Sequence, residues 1–81
     1  MGETVEQRVK RVIAEYLGVD TEDVQASKSL TEDLDFDSID LVQLGLELEE
    51  EFNVEVPDAI VSSTATVGDL VQAIQIIPRL L

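Results

Sequence analysis

The segment Asp33-Leu34-Asp35-Phe36-Asp37-Ser38-Ile39-Asp40 sets four carboxylates around one hydroxyl at the start of a strongly helical stretch. Three chemistries suit such a run. Asp33, Asp35 and Asp37 have the spacing of the first three ligands of an EF-hand calcium loop. The pattern then fails, because its sixth position would be Ser38 where the turn needs glycine and its twelfth Leu44 where a bidentate Glu is needed. Loose divalent-cation binding stays open, and no specific metal site is expected. In the second reading Asp and Ser simply cap a helix, worth about 0.5–2 kcal/mol over Ala. Asp37 suits the N-cap and Asp40 the third helical position, which leaves Ser38 at the first helical position with its hydroxyl exposed. The third reading is covalent modification of Ser38, where free N–H groups and the positive end of the helix dipole would stabilise an attached phosphate. Asp35, Asp37 and Asp40 oppose that charge, so attachment calls for a cation and an external enzyme.

Composition narrows the field. The 81 residues include no histidine and no cysteine, which excludes Ser–His–Asp and Cys–His catalysis, disulfides and thiolate metal sites. Nothing in the chain is evident that would activate Ser38 from within. Absent cysteine fits a reducing cytoplasm, the expected location. A net charge of −13 argues against nucleic acid, whose phosphates require clustered Lys and Arg, and favours basic partners. Of the five basic residues, Arg8, Lys10 and Arg11 lie near the N-terminus and none occurs between Lys28 and Arg79. No signal-like segment opens the chain, and no apolar run approaches the roughly 20 residues of a membrane helix, so a soluble monomer without a membrane span is expected. The length allows one domain, 1–78, which buries roughly 60% of its unfolded surface around a shallow core. Residues 79–81 are set apart as an end that either docks or frays.

The elements that must position Ser38 follow from periodicity. Val5, Val9, Val12, Ile13, Tyr16 and Leu17 recur at helical spacing, with Thr4 and Gln7 as a capping box and Gly18 as a stop, so a helix is expected from about Val5 to Leu17. From Gly18 to Asp37 the apolar anchors Val19, Val24, Leu30 and Leu34 predict a long packed loop with short helical turns near Thr21–Val24 and Thr31–Leu34. The helix carrying the serine spans Ser38 to Phe52, with Leu41, Leu44, Leu48 and Phe52 on one face. Asp40, Gln43, Glu47, Glu50 and Glu51 fall on the other. Ile39, Val42 and Leu46 form a second apolar row that is either core or an exposed stripe. Pro57 suits the first turn of a short helix over Asp58–Ser62. Thr66 and Asp69 open a last helix that Pro78 stops. The expected fold is all-α, a small four-helix bundle of three main helices and one short one.

Asp37-Ser38-Ile39-Asp40-Leu41-Val42-Gln43-Leu44 resembles the Asp-Ser-Leu signature of acyl carrier proteins, and the likeness continues through Leu48-Glu49-Glu50-Glu51-Phe52 and Val56-Pro57-Asp58. Ser38 matches the serine that carries 4′-phosphopantetheine in that family. The resemblance implies that a phosphopantetheinyl transferase moves the arm from coenzyme A to Ser38 with magnesium, and that acyl groups ride as thioesters on the terminal thiol. The chain would then be a carrier and a substrate of other enzymes, not an enzyme. Acyltransferases and ketoacyl synthases with basic patches are the implied partners. Docking is expected on Asp37, Ile39, Asp40, Val42, Leu46, Glu47, Glu50 and Glu51, although an acidic helix face is more often merely solvated. Phe36, Leu48, Ile60, Val67 and Leu70 are expected in a core that, in the family, opens to shelter an acyl chain.

Departures from the family bear on pathway. Asp35 stands where glycine is common, Ile39 where leucine is, and Gln43 where glutamate is. Type II fatty-acid synthesis is the expected setting, with a specialised carrier for polyketide or lipid-modification pathways as the alternative. An unmodified acidic adaptor is the reading from a different class, and an autonomous hydrolase ranks last.

Overall fold

Thr4 Oγ1 accepts the Gln7 N–H at 3.1 Å while Gln7 Oε1 accepts the Thr4 N–H at 2.9 Å. This reciprocal box satisfies donors that a helix start leaves without intrahelical partners. It opens α1 (Val5–Leu17), which ends at Gly18, where a φ of 74° is left-handed backbone that glycine adopts without a Cβ penalty. The computed structural model describes residues 2–77 apart from the Asp58 side chain. The same reciprocal device opens α2 (Ser38–Phe52) through Asp37 and Asp40, and α4 (Val67–Ile76) through Thr66 and Asp69. Between them α3 (Asp58–Ser63) follows Pro57 and has no side-chain cap. It runs one residue beyond the expected end. Ile77 is extended, as the residue before a proline is biased to be. The expected end at 79–81 lies outside the described residues.

The helices pack around aliphatic side chains. Val9 and Ile13 of α1, Leu44 and Leu48 of α2, Val61 of α3 and Leu70 of α4 are completely buried. Truncating either α2 leucine to Ala would cost about 2–5 kcal/mol through lost transfer and cavity energy. Two sequence expectations differ from the structure here. Val19 is 45% exposed, because its backbone is drawn into the helix stop, its N–H donating to the Ala14 carbonyl. Ile60 is only partly buried, since in α3 it is Val61 that faces the core.

The long loop is packed, as its anchors Val24 and Leu30 predict. A 3-10 turn covers Thr21–Asp23, matching the first expected turn. The second is a hydrogen-bonded turn short of a helix. Asp33 Oδ2 accepts the Ser29 N–H at 2.7 Å and Ser29 Oγ accepts the Glu32 N–H at 3.1 Å, as at a helix start, but the Asp33 and Leu34 N–H groups both close on the Ser29 carbonyl and the backbone turns left-handed at Asp35, so the turn goes no further. An isolated antiparallel bridge joins Ser29 to Thr66, tying this loop to the start of α4. No helix among the described residues is long and apolar enough to cross a membrane.

Candidate functional site

Ser38 is the first residue of α2, and it is exposed. Its hydroxyl is not spent on the cap. Asp37 Oδ1 accepts the Asp40 N–H at 2.9 Å, and Asp40 Oδ2 accepts the Asp37 N–H at 3.1 Å. With the Asp40 N–H taken by the cap, the N–H groups of Ser38 and Ile39 are those that precede the intrahelical ladder. An exposed hydroxyl at a helix N-terminus suits a covalently attached phosphodiester.

The approach to Ser38 is set by Asp35 and Phe36. Asp35 has a φ of 59°, left-handed backbone that Asp adopts more readily than most residues. The reversal lets the Phe36 N–H donate to the Leu30 carbonyl at 2.9 Å, with the ring buried. Glycine, common at this place in the resembled family, would take the same conformation freely. The calcium-loop alternative does not survive this geometry. The helix begins at what would be the sixth loop position, Asp33 is turned back onto Ser29, and Asp37 onto Asp40. Among the described residues no group of three or more acidic, His or Cys side chains converges on a metal position.

Tyr16 reaches the site from α1, which sequence reasoning missed. Its hydroxyl donates to Asp40 Oδ1 at 2.7 Å, and its ring lies 5.5 Å from that of Phe36. The bond to Tyr16, and after it the Asp37 N–H, holds the Asp40 carboxyl below the usual carboxylate range. In return the Tyr16 phenol is pushed above its ordinary 10.0, first by that hydrogen bond and further by desolvation and the charges of Asp40, Asp37 and Glu47. A helical-spacing rule assigns Tyr16 to the α1 core stripe, so only an unpaired phenol hinted at a second role.

Along α2 the second apolar row is exposed: Ile39 at 71%, Val42 at 39% and Leu46 at 52%. Asp37, Gln43, Glu47 and Glu50 are exposed beside it. Asp40 and Glu51, expected among the docking acids, are engaged within the molecule. Glu51 accepts from Arg8 Nε at 2.8 Å and from Arg11 Nη2 at 2.7 Å, and Arg8 lies 4.3 Å above the Phe52 ring. Those two arginines, Arg8 first, hold the Glu51 carboxyl below its ordinary 4.5. Arg11 is also bound by Glu3 at 3.1 Å, and its guanidinium is stabilised further in its charged form. The Glu51 side chain is thus a link between α1 and α2. A surface recess of about 520 Å³ opens beyond Leu46, lined by Glu49, Glu50, Asn53, Val54 and Glu55. Ser38 is not part of it.

With this geometry in place, comparison with known proteins is direct. Residues 7–74 match a family model described as a phosphopantetheine attachment site. Over 71 residues the chain is 45% identical to an acyl carrier protein of Sinorhizobium fredii, covering 88% of this chain and 91% of the relative. Identity and coverage are the same for acyl carrier protein AcpP of Rhizobium meliloti. A solved structure from Mycobacterium tuberculosis, provisionally named an acyl carrier protein, superposes with a TM-score of 0.80 at 32% identity, over 90% of this chain and 97% of that one. The group that the family model describes, 4′-phosphopantetheine, fits an exposed serine hydroxyl free of capping duty. The chain therefore belongs to the acyl carrier proteins, carriers rather than enzymes, whose cofactor is a 4′-phosphopantetheine arm.

Proposed function

We propose that Ser38 bears the arm and that the chain serves type II fatty-acid synthesis in the cytoplasm. The observation that carries the first part is the division of labour at the head of α2, where Asp37 and Asp40 cap the helix and leave the Ser38 hydroxyl exposed. The arm supplies a terminal thiol on which acyl groups are held as thioesters. The protein's own residues do the rest. The Ser38 and Ile39 N–H groups, which the cap does not use, and the helix dipole favour the phosphate at Ser38, while Asp35 and Asp37 oppose it, which gives the magnesium of the transferase reaction a charge to offset.

Partner recognition falls to the exposed face of α2. Ile39, Val42 and Leu46 offer an apolar stripe, and Asp37, Glu47 and Glu50 flank it with charge. A phosphopantetheinyl transferase, acyltransferases and ketoacyl synthases with basic patches fit such a surface. Each rim ion pair is weak, about 0–1 kcal/mol, so docking is brief and salt-sensitive, as a carrier visiting several enzymes requires. Supporting the pathway reading, the 71 matched residues make up 91% of the curated relatives, which are thus themselves small separate carriers. The specialised-carrier reading is favoured by Asp35 and by Gln43, which puts an uncharged side chain on the exposed face.

The test is incubation of the purified apo chain with coenzyme A, magnesium and a broad transferase, followed by intact mass. One added phosphopantetheine is expected on the natural chain and none on Ser38→Ala. A folded sample that gains nothing, beside an active control carrier, would defeat the assignment. Mass analysis of the acyl group extracted with the native protein distinguishes fatty from specialised cargo.

A further inference from the structure

Tyr16 belongs to α1 but touches the Ser38 turn twice. Its ring packs 5.5 Å from that of Phe36, two residues before Ser38, and its hydroxyl donates at 2.7 Å to Asp40 Oδ1, two residues after it. Both partners are fixed. Phe36 is buried with its N–H tied to the Leu30 carbonyl, and Asp40 is locked into the reciprocal box with Asp37. That box already caps α2, so the phenol bond is not needed to start the helix. Tyr16 is 37% exposed, and a hydrogen bond at such a position competes with water and adds little to global stability. Its placement is better matched to local order than to core packing.

We propose that Tyr16 is a positioning residue for arm transfer, bracing the turn from both sides so that Ser38 Oγ keeps one place and direction while α2 is docked. The inference rests on Ser38 being the attachment residue. In the transfer, Ser38 Oγ forms a bond to the pantetheine-bearing phosphorus of coenzyme A. The bond from that phosphorus to the adenosine-side oxygen breaks, adenosine 3′,5′-bisphosphate leaves, and the serine proton passes to a base of the transferase. Rate in such a displacement depends steeply on where the nucleophile sits. Affinity for the transferase depends on the wider α2 face. Bracing therefore acts on the maximal rate and not on the half-saturating concentration.

Single-turnover loading of the apo chain, with coenzyme A and magnesium and increasing transferase, separates the two. Tyr16→Phe keeps the ring on Phe36 and removes only the hydroxyl. Its maximal rate is expected to fall about fivefold, the scale of one hydrogen bond, with half-saturation shifted by less than about twofold. Tyr16→Leu, which loses the ring contact as well, should be slower still. Amide exchange at Ser38, Ile39 and Asp40 is expected to quicken in Tyr16→Phe while exchange in α4 stays the same. An unchanged maximal rate in folded Tyr16→Phe overturns the proposal. So does a change confined to half-saturation, which would make Tyr16 a docking contact. A natural chain that takes no arm at Ser38 sinks the underlying assignment instead, and that result is read from the unmodified sequence alone.

Discussion

At φ 59° Asp35 holds left-handed backbone that a β-carbon disfavours by roughly 1–2 kcal/mol, a penalty that Asp reduces through local hydrogen bonding. The conformation is imposed from either side, by the Ser29–Asp33 turn before it and the Phe36–Leu30 bond after it. Asp35→Gly relieves the strain and removes one negative charge from a crowded segment. It is expected to stabilise the fold by about 0.5–1 kcal/mol, the remaining gain being offset by the greater freedom of glycine when unfolded. A higher urea midpoint with an unchanged slope would show this. A lower midpoint would mean that the Asp35 side chain itself holds the turn.

The acids of α2 divide by which side of the helix they occupy. Glu47 and Glu50 stand in solvent, whereas Glu51 is clamped by Arg8 and Arg11. Lysine at both 47 and 50 should weaken transferase or synthase binding at low salt with helicity nearly intact, measured by titration and circular dichroism. Unchanged binding would defeat the docking face. Glu51→Gln should do the opposite, lowering stability by about 1–2 kcal/mol at neutral pH, as expected for charge-assisted bonds that are only partly screened by solvent. The sign with pH follows from its depressed value. Its stabilisation is fully present above the ordinary 4.5 and is lost as pH falls through the lower folded value. Stability curves of the natural chain and of Glu51→Gln are thus expected to differ at neutral pH and to converge under acid.

For the molecule as a whole, 18 acidic residues face 5 basic ones. Arg8, Lys10 and Arg11 are already paired, and all of their pairs lie on or against α1. The remaining carboxylates repel one another across a bundle with a radius of gyration of only 11.5 Å. Raising monovalent salt from about 0.01 M to about 0.1 M shortens the screening length from about 30 Å to about 10 Å, reaching inside that bundle. Screened repulsion should outweigh weakened ion pairs, so the melting temperature is expected to rise with salt. A fall would show that the Arg8–Arg11–Glu51 link dominates the electrostatics.

Features that depend on neighbours three or four residues apart were legible before any fold was known. The capping pairs Thr4–Gln7, Asp37–Asp40 and Thr66–Asp69 set the helix starts, and with them the place of Ser38 at the head of α2. The leucine spacing in α2 likewise marked Leu44 and Leu48 for the core. Periodicity could not say whether Ile39, Val42 and Leu46 were a wider core face or an exposed stripe. That depends on how far around α2 the other helices reach, and they leave this row in solvent. Nor could it separate Glu51 from Glu50, or lift Tyr16 out of the α1 stripe. The deciding partners, Arg8 for Glu51 and Asp40 for Tyr16, lie 43 and 24 residues away along the chain. Contacts of that span exist only once α1 and α2 are packed together, so the packed bundle alone could assign them.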